Sequence, residues 1–427
     1  MNTTLAVSTQ RSFARLLASA ILLSAAGAAL AADWPQWRGP NRDGVSKETG
    51  LLKEWPKEGP KLLWKAPDIG SGYSTPAVVG NRIYILSNSG LDNESVLALN
   101  VANGGKIWSA RLGKVGNPEQ QPSFPAARST PTVDGDVLYA LGSGGDLACV
   151  ELAGGKIRWS KNLRSDFGGK PGVWAYSESP LVDGDLVVVA PGGSEATILA
   201  LDKKSGGVRW KTALPEADNA AFASAIVVET AGVRQIVELL QKGLVGVDAK
   251  TGKFLWRDSK VVSRYGANIP TPVAGDDLIY ASAAGTGGGA VKLKAKDGGV
   301  EAEQLYFESQ LPTTIGGSIK VGSYLYGTTG EALVCFDFAT GKVQWKERSL
   351  NPAALCFADG RLYLHGENGD VALVEPSPEA YREKGRFSPA GQPAKSSEME
   401  KSWAYPVVSN GRLYIRDHGS FWCYAVK

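Results

Sequence analysis

A length of 427 residues would accommodate two or three average domains, but a repeat period near fifty residues points to one large repeat domain with a core in each unit. Setting aside two arginines of the N-terminal apolar segment, 44 basic residues face 43 acidic ones, so no global field favours nucleic acid or an anionic membrane. Four cysteines without a framework spacing and only two histidines leave disulfide scaffolds, His-based zinc clusters and Ser/His/Asp triads with little to build on.

Residues 16–30 form an apolar run behind Arg11 and Arg15, and Ala29, Leu30 and Ala31 supply a small-x-small cleavage site. Residues 1–31 therefore read as a secretory signal peptide, too short to span a bilayer, with the mature chain starting near Ala32 in the periplasm or outside the cell. Residues 32–60 read as an irregular N-terminal strap. Its segment 33–44 (DWPQWRGPNRDG) carries two indoles, two prolines and two glycines, and must pack those aromatics on something. Trp34 and Trp37 could alternatively form a ligand platform.

From residue 61 onward an eleven-residue unit recurs with its glycine and tryptophan in register. The copies are 98–108 (ALNVANGGKIW), 149–159 (CVELAGGKIRW), 200–210 (ALDKKSGGVRW), 246–256 (GVDAKTGKFLW) and 335–345 (CFDFATGKVQW). Each reads as two strands joined at a glycine that needs a positive φ, ending on a structural indole: Trp108, Trp159, Trp210, Trp256 and Trp345. Cys149 and Cys335 fall in the slot that other copies fill with Ala98, Ala200 or Gly246, which predicts small, buried side chains rather than disulfides. A second signature precedes each unit, a proline eight residues before a tyrosine: Pro76 and Tyr84, Pro131 and Tyr139, Pro272 and Tyr280, Pro406 and Tyr414, with Pro180 and Val188 as a variant. Gly80, Gly135, Gly184, Gly275 and Gly411 are the expected hairpin turns between them.

Together these make four-stranded antiparallel blades of an all-β propeller. The units predict eight blades, with seven as the alternative if a degenerate unit does not form one; the fifth, residues 270–307, and the seventh, 351–387, lack the tryptophan. The last unit offers only three strands, and the segment around Trp64 matches only the tryptophan-ending strand. The ring is thus expected to close through the N-terminus, which hides its open edges. Long connections at 109–129, 161–177 and 384–404 all join an outer strand to the next inner one, so function is sought on the face where they emerge. His365 and His418 are expected in turns, and the glycine run 285–289 is expected as a strand connection, since no helix follows it.

With these repeats the chain resembles the pyrroloquinoline quinone (PQQ)-type repeat family, whose docking motif is A-x-D-x-x-T-G-x-x-x-W. Asp248 with Thr251 and Gly252, and Asp337 with Thr340 and Gly341, keep that motif, and residues 34–40 resemble a W-P-x-W-R-G-P signature found in secreted members. The resemblance implies either a quinoprotein dehydrogenase using PQQ and Ca²⁺ on an alcohol or sugar, or a non-catalytic scaffold of the BamB-like kind. A quinone site would draw oxygen ligands, a basic partner and aromatic faces from Tyr73, Arg128, Trp174, Tyr176, Glu178, Arg264, Tyr265 and Asn268, which stand near the inner-strand entrances. The sequence has no adjacent cysteine pair and no C-x-x-C-H haem motif, and no cysteine follows the signal segment to carry a lipid anchor. The preferred expectation is an exported binding scaffold that uses its loop-rich face on an unknown protein, peptide or extracellular polymer. No cofactor is firmly implied.

Overall fold

The computed structural model describes Met1 and residues 33–66, 68–117, 119, 126–230, 232–297, 299–395, 398 and 400–427. The chain divides into Met1–Leu30 and Ala31–Lys427, and the signal-peptide reading lies, Met1 apart, outside the described residues. In the second unit the strands form eight four-stranded antiparallel blades, with one five-residue helix, Leu163–Phe167, among the described residues. The eight-blade count holds over seven. Blades one to seven occupy residues 77–113, 132–162, 181–212, 226–258, 273–308, 318–348 and 353–387. Blade eight combines Val407–Ser409, Arg412–Asp417 and Ser420–Ala425 with Lys61–Ala66, which pairs antiparallel to Ser420–Ala425 and closes the ring.

The repeat pattern has a simple cross-strand cause. In every blade but the seventh the second-strand residue, the small third-strand residue and the fourth-strand aromatic sit opposite one another, as in Tyr84, Ala98 and Trp108, or Tyr139, Cys149 and Trp159. The rings meet over the small residue, 5.9 Å apart in both blades. A side chain there must be small: a Cβ on Gly246 would lie 2.2 Å from Nε1 of Trp256. This is why Cys149, Cys335 and Cys423 stand in this slot, and all four cysteines are buried and free.

Most of the indoles also couple their blade to the next one, Trp256 excepted, whose N–H donates to Gln235 Oε1 of its own blade. Trp64, Trp108, Trp159 and Trp210 lie on Gly104, Gly155, Gly206 and Gly252, and their N–H groups donate to Val101, Leu152, Lys203 and Ala249 carbonyls at 2.9, 3.0, 3.1 and 3.2 Å. Gly155 shows why glycine is required: its φ is +75° and a Cβ would come within 2.7 Å of the Trp108 ring. Blade five substitutes Tyr306, whose hydroxyl donates to Phe338 O at 2.9 Å over Gly341.

Blade seven has Gly385 opposite Leu373 where the indole belongs, and it borrows one. Trp55, from the segment before the first repeat strand, donates its backbone N–H to Lys384 O at 2.9 Å and packs 5.8 Å from Tyr363 and 5.4 Å from Phe387. A Cβ on Gly385 would meet the Trp55 Cβ at 2.7 Å, so the missing side chain is the space that Trp55 fills.

Residues 33–48 run through the ring instead of lying over its surface. Trp34 exchanges two backbone hydrogen bonds with Val78 of blade one, and Pro35 O accepts from Val133 N of blade two. Arg42 donates to Ser179 O and Pro180 O at the entrance of blade three, Trp37 to Thr271 Oγ1 before blade five, and Arg38 to Ser318 O in blade six. Val45–Ser46 adds a parallel strand to blade seven, and Glu48 accepts from Asn410 N and Gly411 N in blade eight. Trp34 is buried and Trp37 packs edge-on against Tyr405 at 4.5 Å, so both indoles belong to this plug.

Two local expectations need correction. His365 lies on the strand Arg361–Gly366 and is buried, its Nδ1 2.8 Å from Ala404 O; only His418 is a turn residue, at φ +50°. In blade five Asp276, not Gly275, takes the positive φ of the hairpin; Gly275 ends the strand, where Lys320 and Phe338 leave no room for a Cβ.

Replacing Trp55 by Ala should cost about 3–5 kcal/mol in urea unfolding, matching Trp345→Ala in blade six. A Trp55 variant with the parent's midpoint would show that blade seven does not depend on a borrowed indole.

Candidate functional site

Antiparallel alternation sends the outer-to-inner connections and the loops between second and third strands to one face, while the turns that contact Asp33 and Glu48 lie on the other. On the loop-rich face, side chains from blades eight, one and two converge around Tyr73. Gly72, at φ +150°, lets that loop pass between Arg416 and Ala127 O, where a Cβ would be 2.7 and 3.0 Å from its neighbours. Tyr73 N then donates to Ala127 O at 2.8 Å.

The Tyr73 ring stands 4.8 Å from Trp403 and 4.9 Å from His418, with the Arg128 guanidinium 5.5 Å above it. Burial raises the Tyr73 hydroxyl pKa and keeps it protonated, Arg128 opposing the shift only in part. His418 Nε2 lies 3.2 Å from Glu400 Oε1 without the angle of a hydrogen bond, and burial lowers the imidazole pKa, so this contact is not an ion pair at neutral pH. The charged contact here is Lys395 with the buried Asp417. Beneath the cluster Arg416 is wholly buried and donates to Ser74 O, Leu86 O and His418 O at 3.1, 2.6 and 2.9 Å. One guanidinium thus pins the last blade to the first.

Glu94 completes the floor. It is buried beside Ser143, whose N–H approaches its two oxygens at 3.0 and 2.9 Å and whose hydroxyl also donates to it. Burial pushes its carboxyl up to about 7, with the Ser143 hydrogen bonds and Arg128 pulling the other way.

Of the residues singled out from the sequence, Tyr73 and Arg128 meet in this cluster. Trp174 stacks on Phe222 at 5.5 Å, and Phe222 N donates to Asn268 O. Tyr176 is buried under Arg164, its hydroxyl donating to Pro191 O. Asn268 is also buried, its amide accepting from Ser263 N at 2.7 Å and donating to Leu240 O at 2.6 Å. Arg264 and Tyr265 are exposed. Glu178 accepts from Ala190 N with one oxygen and leaves the other without a partner; Arg42 of the strap and Glu238 of blade four face it. Burial raises both carboxyl pKa values, and each charge would oppose the other, while Arg42 offsets them.

These placements do not fit a quinone with its calcium. Arg128 is engaged on Tyr73, the Asn268 amide is spent on Ser263 N and Leu240 O, and Glu178 is bonded to Ala190 N and faces a second carboxylate, Glu238. Among the described residues no three His, Cys, Asp or Glu side chains converge on a metal-sized point. Trp403, His418, Arg416, Glu94, Arg42 and Glu238 escaped sequence reasoning as site residues. They lie on different blades, and only Arg42, in the W-P-x-W-R-G-P-N-R segment, stood in a recognisable motif.

A family model described as outer membrane protein assembly factor BamB matches residues 44–173 and 92–347. The chain belongs to that family. The BamB of Alkalilimnicola ehrlichii is 30% identical over 140 residues, which are 33% of this chain and 32% of that protein. The match spans about a third of this relative's length. Among solved structures, BamB from Moraxella catarrhalis aligns with a TM-score of 0.60 at 16% identity, covering 86% of this chain and 99% of that one. The quinohemoprotein alcohol dehydrogenase ADHIIG from Pseudomonas putida HK5 aligns at 0.61 and 14% identity, over 92% and 80%. At these identities both likenesses concern the fold.

Glu94 makes stability pH-dependent in a defined sense. Between 4.5 and about 7 the folded chain holds a proton there that the unfolded chain has released, so stability falls as pH rises through that window, by on the order of 3 kcal/mol. Glu94→Gln should therefore unfold at a higher temperature than the parent at pH 8, and the difference should vanish by pH 4. A difference independent of pH would contradict the raised carboxyl.

Proposed function

We propose that the chain is a non-catalytic binding scaffold of its family, exported to the periplasm or beyond, which holds an unknown protein, peptide or extracellular polymer on its loop-rich face. The observation that carries this reading is the partly exposed group of Trp403, Arg128 and His418 around Tyr73, set on a buried floor of Arg416 and Glu94. Aromatic rings and arginine in the centre with carboxylates at the margin are the composition of binding hot spots, and the rigid ring presents them with little entropy to lose. Trp174, Arg264 and Tyr265 would contribute the far rim of the same face. Export rests on the pattern of residues 1–31, and among the described residues no helix is long and apolar enough to cross a membrane.

The description of the relative as an assembly factor supports a protein partner. A dehydrogenase reading would draw on fold likeness alone, without a matching donor set. A photo-crosslinking amino acid at position 403, compared with the same group at exposed position 305 on the outer strand of blade five, should give a discrete adduct in periplasmic extract only at 403. Equal labelling at both positions, or saturable Ca²⁺-dependent quenching of tryptophan fluorescence by PQQ with alcohol or sugar turnover, would contradict the scaffold.

A further inference from the structure

A cavity of about 370 Å³ lies on the face opposite the loop cluster, between the plug and the inner strands of blades four, five and six. Arg38, Asn41, Arg42 and Asp43 form its plug side, and Ile226, Val273 and Lys320 are among the strand residues across from them. Three of these lining groups are cations. Arg38 and Arg42 are each almost completely buried, yet the acceptors they reach are backbone carbonyls and the Gln36 amide oxygen. Among the described residues, Nε and Nη1 of Arg38 and Nε of Arg42 meet no acceptor in hydrogen-bond geometry.

Buried guanidinium groups are ordinarily matched by a carboxylate or phosphate, because an unpaired charge away from water is costly. Glu178 and Glu238 act on Arg42 from its other side, whereas Arg38 and Lys320 form no ion pair among the described residues. The one carboxylate lining the cavity, Asp43, accepts from Val45 N through one oxygen. Lys320 is positioned with some precision: its stem lies across Gly275, where a Cβ would meet its Cε at 2.7 Å, and its ammonium stands 5.4 Å from the Phe338 ring.

We infer that this cavity is a binding site for a small oxyanion, a carboxylate or phosphate, held by Arg38 and Lys320 with the Asn41 amide and Arg42 beside them. Planar guanidinium groups and a point-charge ammonium suit tetrahedral and planar oxyanions alike, and the volume is at the small end of ligand pockets. The site is independent of the loop-rich face. An anion seated there would bridge the plug to blades five and six, so occupancy would stabilise the ring by mass action.

The full mature chain, in low-salt buffer free of other oxyanions, is heated with increasing inorganic phosphate and, separately, with increasing succinate. A saturable rise in Tm with either ligand is expected, phosphate alone marking a phosphate site and succinate alone a carboxylate site. Lys320 is partly exposed, so Lys320→Glu should fold, and it should lose at least ten-fold in affinity for the effective ligand; Lys346→Glu, an exposed position on the outer strand of blade six, should bind as the parent does. No rise up to 10 mM of either ligand ~ well above ordinary small-molecule affinities ~ or an identical rise in Lys320→Glu, would overturn the site.

Discussion

A ring of blades can be stable only if its first and last members are tied, since any open sheet edge would expose unpaired backbone groups and part the interface beside it. Here the tie is made by the N-terminal residues of the propeller unit, and made more than once. Lys61–Ala66 becomes the outer strand of blade eight, with Trp64 docked against blade one, and Arg416 reaches from blade eight to the carbonyls of Ser74 and Leu86. Ahead of that strand Trp55 supplies the aromatic that blade seven lacks. Earlier still, residues 33–48 occupy the channel and bond to seven of the eight blades, namely all but blade four.

Plugging a channel with arginines buries charge, and the neighbouring residues reflect that cost. Glu178 and Glu238 stand near Arg42, and burial raises both carboxyl pKa values against the pull of that guanidinium. Arg38 instead leans on the Asp43 and Ser318 carbonyls, and its remaining nitrogens are without acceptors beside the cavity described above. The loop-rich face follows a different rule. There Trp403, Arg128 and His418 are partly exposed above the buried Tyr73, which suits exchange with a partner rather than permanent structure.

Most of the propeller was readable because its constraints are local. A tyrosine, a small residue and a tryptophan recur at fixed spacing since each must face the next across adjacent strands, and Gly104 or Gly252 recurs since each indole needs a bare turn to rest on. The closing strand was readable for the same reason: Trp64 has the indole of a fourth strand and no first three. Trp55 left no such trace. It has no repeat context, and Gly385 looks like degeneration until the distant ring is placed over it. The same limit applies to the site. Tyr73 and Arg128 stand at blade entrances that the repeats mark, while Trp403 and His418 reach them only through ring closure, some 300 residues on. His365 misled for a related reason, since its glycine-rich surroundings read as a turn although its own strand continues to Gly366.

Bonded to seven blades, the plug should do more than any one blade interface to make the eight behave as one unit. Urea unfolding of a mature chain lacking residues 33–50, but keeping Trp55 and the closing strand, tests it most directly. A lower midpoint and a shallower, broadened transition are expected as blades lose their common partner. An unchanged midpoint with an unchanged slope would show that the ring holds itself together and that the segment in its channel is a passenger.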